Sequence, residues 1–383
     1  MGAMKSRVLC CVMVLALSLG ALRALHANSA TWNVNPTSGE WNDPLNWTPN
    51  TVPNGPFDTA TFDVSNITDI SLSDAIEVEG IVFNPGGKSY TVTATNLTIS
   101  GTGITNNSGA TQNFVANNDS STLRFTHSAT AGSGTVFMNN RGRIELDNRA
   151  RAGTATFITN GRGSITIFFD EATSDSATFI TNSGGTTFPG NGANATLINN
   201  PGGTTYFGVG NQAGNATLIA NGGTGGGGLI FFDTGSHGGT GRVEIFGNAR
   251  LDLAQSFPGT SLGSIEGDGI IELGDWTLTV GSNNLSTEFG GLIKDEVSEG
   301  GAGTLKKVGS GNLTLSSGNT YEGGTVIWGG GIVVNNTTGS ATGRGVVDVK
   351  IGTLGGGGFI AGPVTIGTGT DSGAILDPGN DSI

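Results

Sequence analysis

Carboxylates that follow short apolar strands are the residues in this chain best placed to do chemistry. Phe-Phe-Asp occurs twice, ending at Asp170 and Asp233, a separation equal to three repeat periods. Asp147 and Asp252 follow similar Leu or Ile strands. Carboxylates aligned on one face could bind Ca2+ or work as an acid/base pair. Three repeats stacked at about 4.8 Å would separate Asp170 from Asp233 by about 14 Å. A glycosidase pair needs about 5–10 Å, so these groups read as solvated Asp at strand ends. His127 and His237 lie far apart in the chain, lack metal-ligand spacing and read as surface or turn residues. The glycine-rich stretches 222–228 and 355–358 lack the Lys-Ser/Thr ending of a phosphate loop and read as corners. No catalytic residue, metal or cofactor is expected. Trp41 and Trp47 are the best binding candidates: exposed rings in this turn-rich segment could stack on sugar faces. The competing reading has them closing the apolar end of the fold.

The elements that would position these residues repeat. Gly134–Asn139 (GTVFMN) is followed by Ala155–Asn160 (ATFITN), Ala177–Asn182 (ATFITN), Ala195–Asn200 (ATLINN) and Ala216–Asn221 (ATLIAN). Successive starts are thus separated by a period of roughly 20 residues, the signature of a solenoid. Asn and Gly turn the chain after each strand, and a second, aromatic strand follows. Such a unit buries its apolar face only by stacking on its neighbours, where every backbone group also finds a partner.

Composition agrees. Glycine makes up 68 of 383 residues without a period of three, so collagen is excluded. Hydrophobic residues make up 36%, with 18 Phe in alternating patterns, which argues against disorder. Only 12% of residues are charged, as expected where like charges would stack coil on coil, while Thr, Ser and Asn can form neutral ladders. The net charge of −13 argues against nucleic acid or an anionic membrane as partner.

Residues 1–27 read as a secretory signal, with Lys5 and Arg7 before the apolar run Val8–Leu22. Both cysteines, Cys10 and Cys11, lie in it, so the exported chain would use no disulfide. No later stretch is apolar for the length of a membrane helix. A mature chain at about 21 residues per coil would make about 17 coils, a rod about 80 Å long.

Gly301–Asn336 reads GAGTLKKVGSGNLTLSSGNTYEGGTVIWGGGIVVNN. It resembles the autotransporter-associated β-strand repeat through Leu305, Lys307, Gly309, Gly311, Leu313, Leu315, Asn319, Thr320, Tyr321, Gly323, Gly324, Thr325, Val326 and Gly330. Lys306 stands where Thr is usual. The resemblance implies a right-handed parallel β-helix, exported to the surface or exterior of a Gram-negative-type bacterium, and no catalytic residue. The family's usual translocating barrel does not follow, and the repeat-like stretch 374–383 suggests an incomplete frame or an end completed by a partner.

The expectation is an all-β, right-handed parallel β-helix (β-solenoid) with coils of about 18–22 residues. It divides into a signal peptide (1–27), an N-terminal cap and first coils (28–104), solenoid repeats (105–300), the family repeat (301–336) and further coils (337–383). The function expected is a non-enzymatic, secreted or cell-surface, structural or adhesin-like passenger, with glycans or cell surfaces as candidate partners and room for an end-to-end or C-terminal partner. The alternative is a polysaccharide-binding or polysaccharide-degrading protein on the same fold.

Overall fold

The computed structural model describes residues 28–295, 301–367 and 373–379. The signal stretch 1–27 lies outside the described residues. The chain forms a parallel β-solenoid of about 14 turns, and the one helical element among the described residues is a 3-10 turn, Pro44–Asn46.

Each central coil has three sides. The first is a row of single parallel bridges, Gly103 to Thr130 to Arg151 to Thr173 to Asn191. The second stacks Thr135–Asn139, Thr156–Thr159, Thr178–Thr181, Thr196–Asn199, Thr217–Ala220 and Arg242–Ile245. The third stacks Arg143–Leu146, Ile165–Phe168, Thr186–Phe188, Thr204–Phe207, Leu229–Phe232 and Arg250–Asp252. All these pairings are parallel. Toward the C-terminus the first side becomes regular strand, with Gly259–Leu262, Thr277–Val280 and Thr304–Lys307 in register.

Side-chain alternation follows from the strand period of two. On the second side Phe114, Phe137, Phe157 and Phe179 face inward and are fully buried. Their rings stack 5.1, 4.9 and 5.0 Å apart, tilted by 17°, 16° and 10°. Identical residues at identical positions thus meet face to face. Phe125 and Phe168 meet this column edge-on from the third side, at 84° and 72°. Leu197 and Leu218 continue the column and remain buried.

The register refines the repeat. Val136 lies opposite Thr156, so the first repeat starts at Thr135 rather than Gly134, and its coil is shorter by one position. Later coils are longer than expected. Ala220 lies opposite Ile245, well beyond one regular period, because the loop 222–228 is inserted at a corner. Phe289 lies opposite Leu315 across a coil that is longer still. The chain reaches about 14 turns rather than 17 because longer coils use up residues, and because the N-terminal segment forms a different structure.

That segment is a cap. Ala30–Trp32 pairs antiparallel with the two-residue strand Trp47–Thr48 and parallel with Gly55–Phe62. A two-residue edge followed by Pro49 offers little backbone for further pairing.

Polar ladders run outside the core. Asn140, Asn160, Asn182, Asn200 and Asn221 each donate from Nδ2 to the Oδ1 of the Asn one coil before, beginning at Asn117, over 2.6–3.0 Å. Charges stack too, and arginine resolves the repulsion. Glu244 lies opposite Glu266, and Arg242 reaches them at 3.2 and 2.6 Å. Asp252 lies opposite Glu272, and Arg250 reaches them at 3.0 and 3.2 Å. Two stacked carboxylates therefore share one guanidinium that projects from the same outer face.

Candidate functional surfaces

Asp170 and Asp233 are three coils apart, but one position out of step. Leu146 lies opposite Phe168, Ile167 opposite Phe188, Thr187 opposite Thr205 and Phe207 opposite Phe232. This register sets Asp233 at the position of Phe169, one place before Asp170. Coils of unequal length produce the offset that a constant period conceals. The other strand-end carboxylates singled out in the sequence are engaged. Asp147 pairs with Arg124, whose hydrogen bond holds its carboxyl below the usual range. Asp252 pairs with Arg250. Asp233 accepts from the Tyr206 hydroxyl, which lowers the carboxyl and, with burial, pushes the phenol up to about 12. Carboxylates held ionised by such partners are poor proton donors at neutral pH.

Asp170 instead stacks beyond Asn148 and His127, and all three backbones are left-handed, with φ of 52°, 56° and 57°. With Ser128, Arg149 and Glu171 they line a shallow, open groove along three turns. His127 is thus a turn residue. His237 sits in a single bridge with Gln212 on the first side. No three of the described His, Cys, Asp and Glu residues gather as a metal site would need. A Gly-x-Ser-x-Gly spacing also occurs, Gly259-Thr260-Ser261-Leu262-Gly263. It lies on the strand Gly259–Leu262, in register with Thr277–Val280, rather than on the strand-to-helix turn that exposes a nucleophile.

Trp41 and Trp47 are completely buried, as is Trp32 beside them. Trp47 meets Trp32 and Trp41 at 5.0 Å each, and Phe62 lies 5.6 Å from both Trp41 and Trp47. The indole N–H groups of Trp41 and Trp47 donate to the Pro53 and Trp41 carbonyls at 3.1 and 2.7 Å. Neither ring offers a free face to a sugar; the cluster covers the first coil's apolar interior.

The segment 301–336 is held together across coils. Leu305, Leu313 and Leu315 point inward and are buried. Asn319 turns the corner and ties three coils together: its Oδ1 accepts from the Ile293 N–H at 2.7 Å and its Nδ2 donates to the Ala341 carbonyl at 2.6 Å. The exposed Thr320 extends the link through its N–H to the Ile293 carbonyl at 3.0 Å. The buried Tyr321 hydroxyl meets Thr325 Oγ1 at 2.6 Å, and Thr325 Oγ1 donates to the Thr342 carbonyl at 3.1 Å. Gly309 has φ of 71°, and a Cβ there would lie 2.0 Å from the Gly281 carbonyl oxygen. Gly311, Gly323 and Gly324 likewise sit against backbone of neighbouring coils. Lys307, a repeat position whose burial the sequence does not announce, is almost wholly enclosed. Its ammonium donates to the Val308 carbonyl at 2.6 Å and the Gly329 carbonyl at 3.4 Å, in successive coils. Burial lowers it to about 8. The signature's leucines therefore fill the interior, while its polar and glycine positions act on the joint between coils.

Residues 305–334 match the family described as Passenger-associated-transport-repeat. The solenoid thus carries one passenger-type repeat. A 119-residue stretch of the chain is 34% identical to the adhesin BmaC autotransporter of Brucella suis biovar 1 (strain 1330). The match takes in 29% of this chain and 3% of that relative, so the chain spans a small part of the relative's length. No solved structure matches it.

Proposed function

We propose that this chain is a non-enzymatic, adhesin-like passenger segment, displayed at the surface of a Gram-negative-type bacterium. One observation carries the reading. The segment that matches the passenger repeat is joined coil to coil with the rest of the solenoid, and its signature residues maintain stacking rather than form a site. A relative in sequence is named an adhesin and an autotransporter. An extended stack offers repeated surface, which suits many weak contacts made together.

Adhesion tests this directly. Latex beads coated with the purified chain should be retained on epithelial or bacterial cell layers more than beads coated with albumin, and soluble chain should compete. Retention equal to albumin, or unaffected by competitor, contradicts the reading.

A further inference from the structure

The outer face of the second side is the most regular surface on the molecule. Its outward columns are Thr156, Thr178, Thr196, Thr217 and Ile158, Ile180, Ile198, Ile219, in direct register over four coils. Val136 and Met138 extend the columns by one coil toward the N-terminus, and Arg242 and Glu244 end them. The Asn ladder runs alongside. All eight Thr and Ile side chains are half-buried.

Stacking alone does not demand this identity. The buried column beneath changes from Phe157 and Phe179 to Leu197 and Leu218. The outer face of the third side, built from equally regular strands, changes at nearly every coil: Glu145, Ile167, Phe188, Tyr206, Phe231 and Asp252 occupy one column. On the second side the outward residues are kept while the core varies, the reverse of what packing alone produces.

We infer that this Thr-Ile-Asn face is a docking surface for a neutral glycan lying along the solenoid axis. Charge, shape and area select that partner. The columns carry no charge from Val136 to Ile219, on a chain of net charge −13, so nothing there attracts a cationic, anionic or nucleic-acid ligand. The face is five coils long, about 24 Å by 13 Å, or roughly 300 Å2. That is far below the roughly 800 Å2 per partner of a stable dimer, which argues against a second copy. A sugar chain presents C–H faces and hydroxyl edges together. The Ile column offers apolar contact, and the Thr hydroxyl and Asn amide columns flank it with hydrogen-bonding groups. The coil spacing of about 4.8 Å is roughly the length of one pyranose ring, so successive sugars can meet successive coils.

The inference rests on the adhesin-like reading and is tested apart from it. The full purified chain is immobilised and offered dextran, mannan, soluble chitin oligomers and a mixed-linkage β-glucan. At least one should be retained. Retention should fall about tenfold or more in Ile180→Asp/Ile198→Asp, which charges the column, and stay unchanged in Ile167→Asp, on the third side. Thr178→Val/Thr196→Val keeps the β-branched shape while removing two hydroxyls, and should weaken binding with unchanged melting. Retention of none of the four overturns the inference, as does full retention by both double variants. Self-association of the wild type that the Ile→Asp variant abolishes assigns the face to a second copy instead. Beads that adhere while no polysaccharide is retained overturn the inference and leave the adhesin-like reading standing. Beads that fail to adhere count against that reading, whatever the polysaccharides show.

Discussion

Lys307 shows how much one side chain can contribute to the joint between two coils, and how pH should reveal it. Its ammonium would titrate near 10.5 when unfolded and titrates near 8 when buried in the folded chain. Between those values the unfolded chain holds the extra proton, so stability rises with pH there and is lost as pH falls through about 8. The melting temperature of the wild type should therefore gain on that of Lys307→Met between about pH 7.5 and about pH 9.5. A parallel course for the two proteins would contradict the assignment. Tyr90 and Tyr206, both raised to about 12, act in the opposite direction above about pH 10, where unfolded tyrosines ionise first. Gly309→Ala is the steric counterpart. A left-handed backbone and a Cβ 2.0 Å from the Gly281 carbonyl should cost about 2 kcal/mol or more, read by denaturant unfolding. A change within about 0.5 kcal/mol would show that the corner relaxes freely. The sequence displays both residues within the repeat, but not that Lys307 is enclosed: a Lys that follows Lys306 reads as surface until the coils are stacked.

At the scale of the strand and its ladder, the repeat that recurs as ATFITN, ATLINN and ATLIAN predicts more than strand position. Phe179 stacks on Phe157 on one side and lies opposite Leu197 on the other. Phe179→Leu should cost about 1–2 kcal/mol, since Leu already occupies that column, whereas Phe179→Ala should cost about 3–5 kcal/mol. Equal costs would mean that the column is not packed as a continuous stack. Asn182 both donates to Asn160 and accepts from Asn200. Asn182→Ala should lose about 1 kcal/mol, and Asn182→Asp more, because Asn160 Oδ1 would then face a carboxylate instead of an amide donor. What escaped the sequence at this scale was register. Thr135-Val136 replaces Ala-Thr in the first repeat, so aligning on Asn139 shifts it by one. The carboxylates went the same way: Asp170 and Asp233 are three periods apart by count and out of step in space, because the coils between them differ in length. The tryptophans were ambiguous for a different reason. Turn-rich sequence around Trp41 and Trp47 is compatible with exposure, and only the pairing of Ala30–Trp32 with Trp47–Thr48 encloses them.

For the whole molecule, composition was the best guide. High glycine and low charge describe an object in which every residue has a copy of its position above and below, about 4.8 Å away. Corners need glycine where backbone meets backbone, and stacked charges need a shared partner such as Arg242 or Arg250. The described residues therefore present long, repetitive faces, and this is why the function was less legible than the fold: a face is recognised by what repeats outward, which becomes visible only when the register separates outward from inward. These faces are carried on an extended stack, which small-angle scattering of the full chain would reveal. About 14 turns at about 4.8 Å give a stacked body about 65–70 Å long, with a scattering profile of rod-like cross-section. A compact profile, with a maximum dimension of only about 50 Å, as a globule with a radius of gyration of about 20 Å would have, would contradict it.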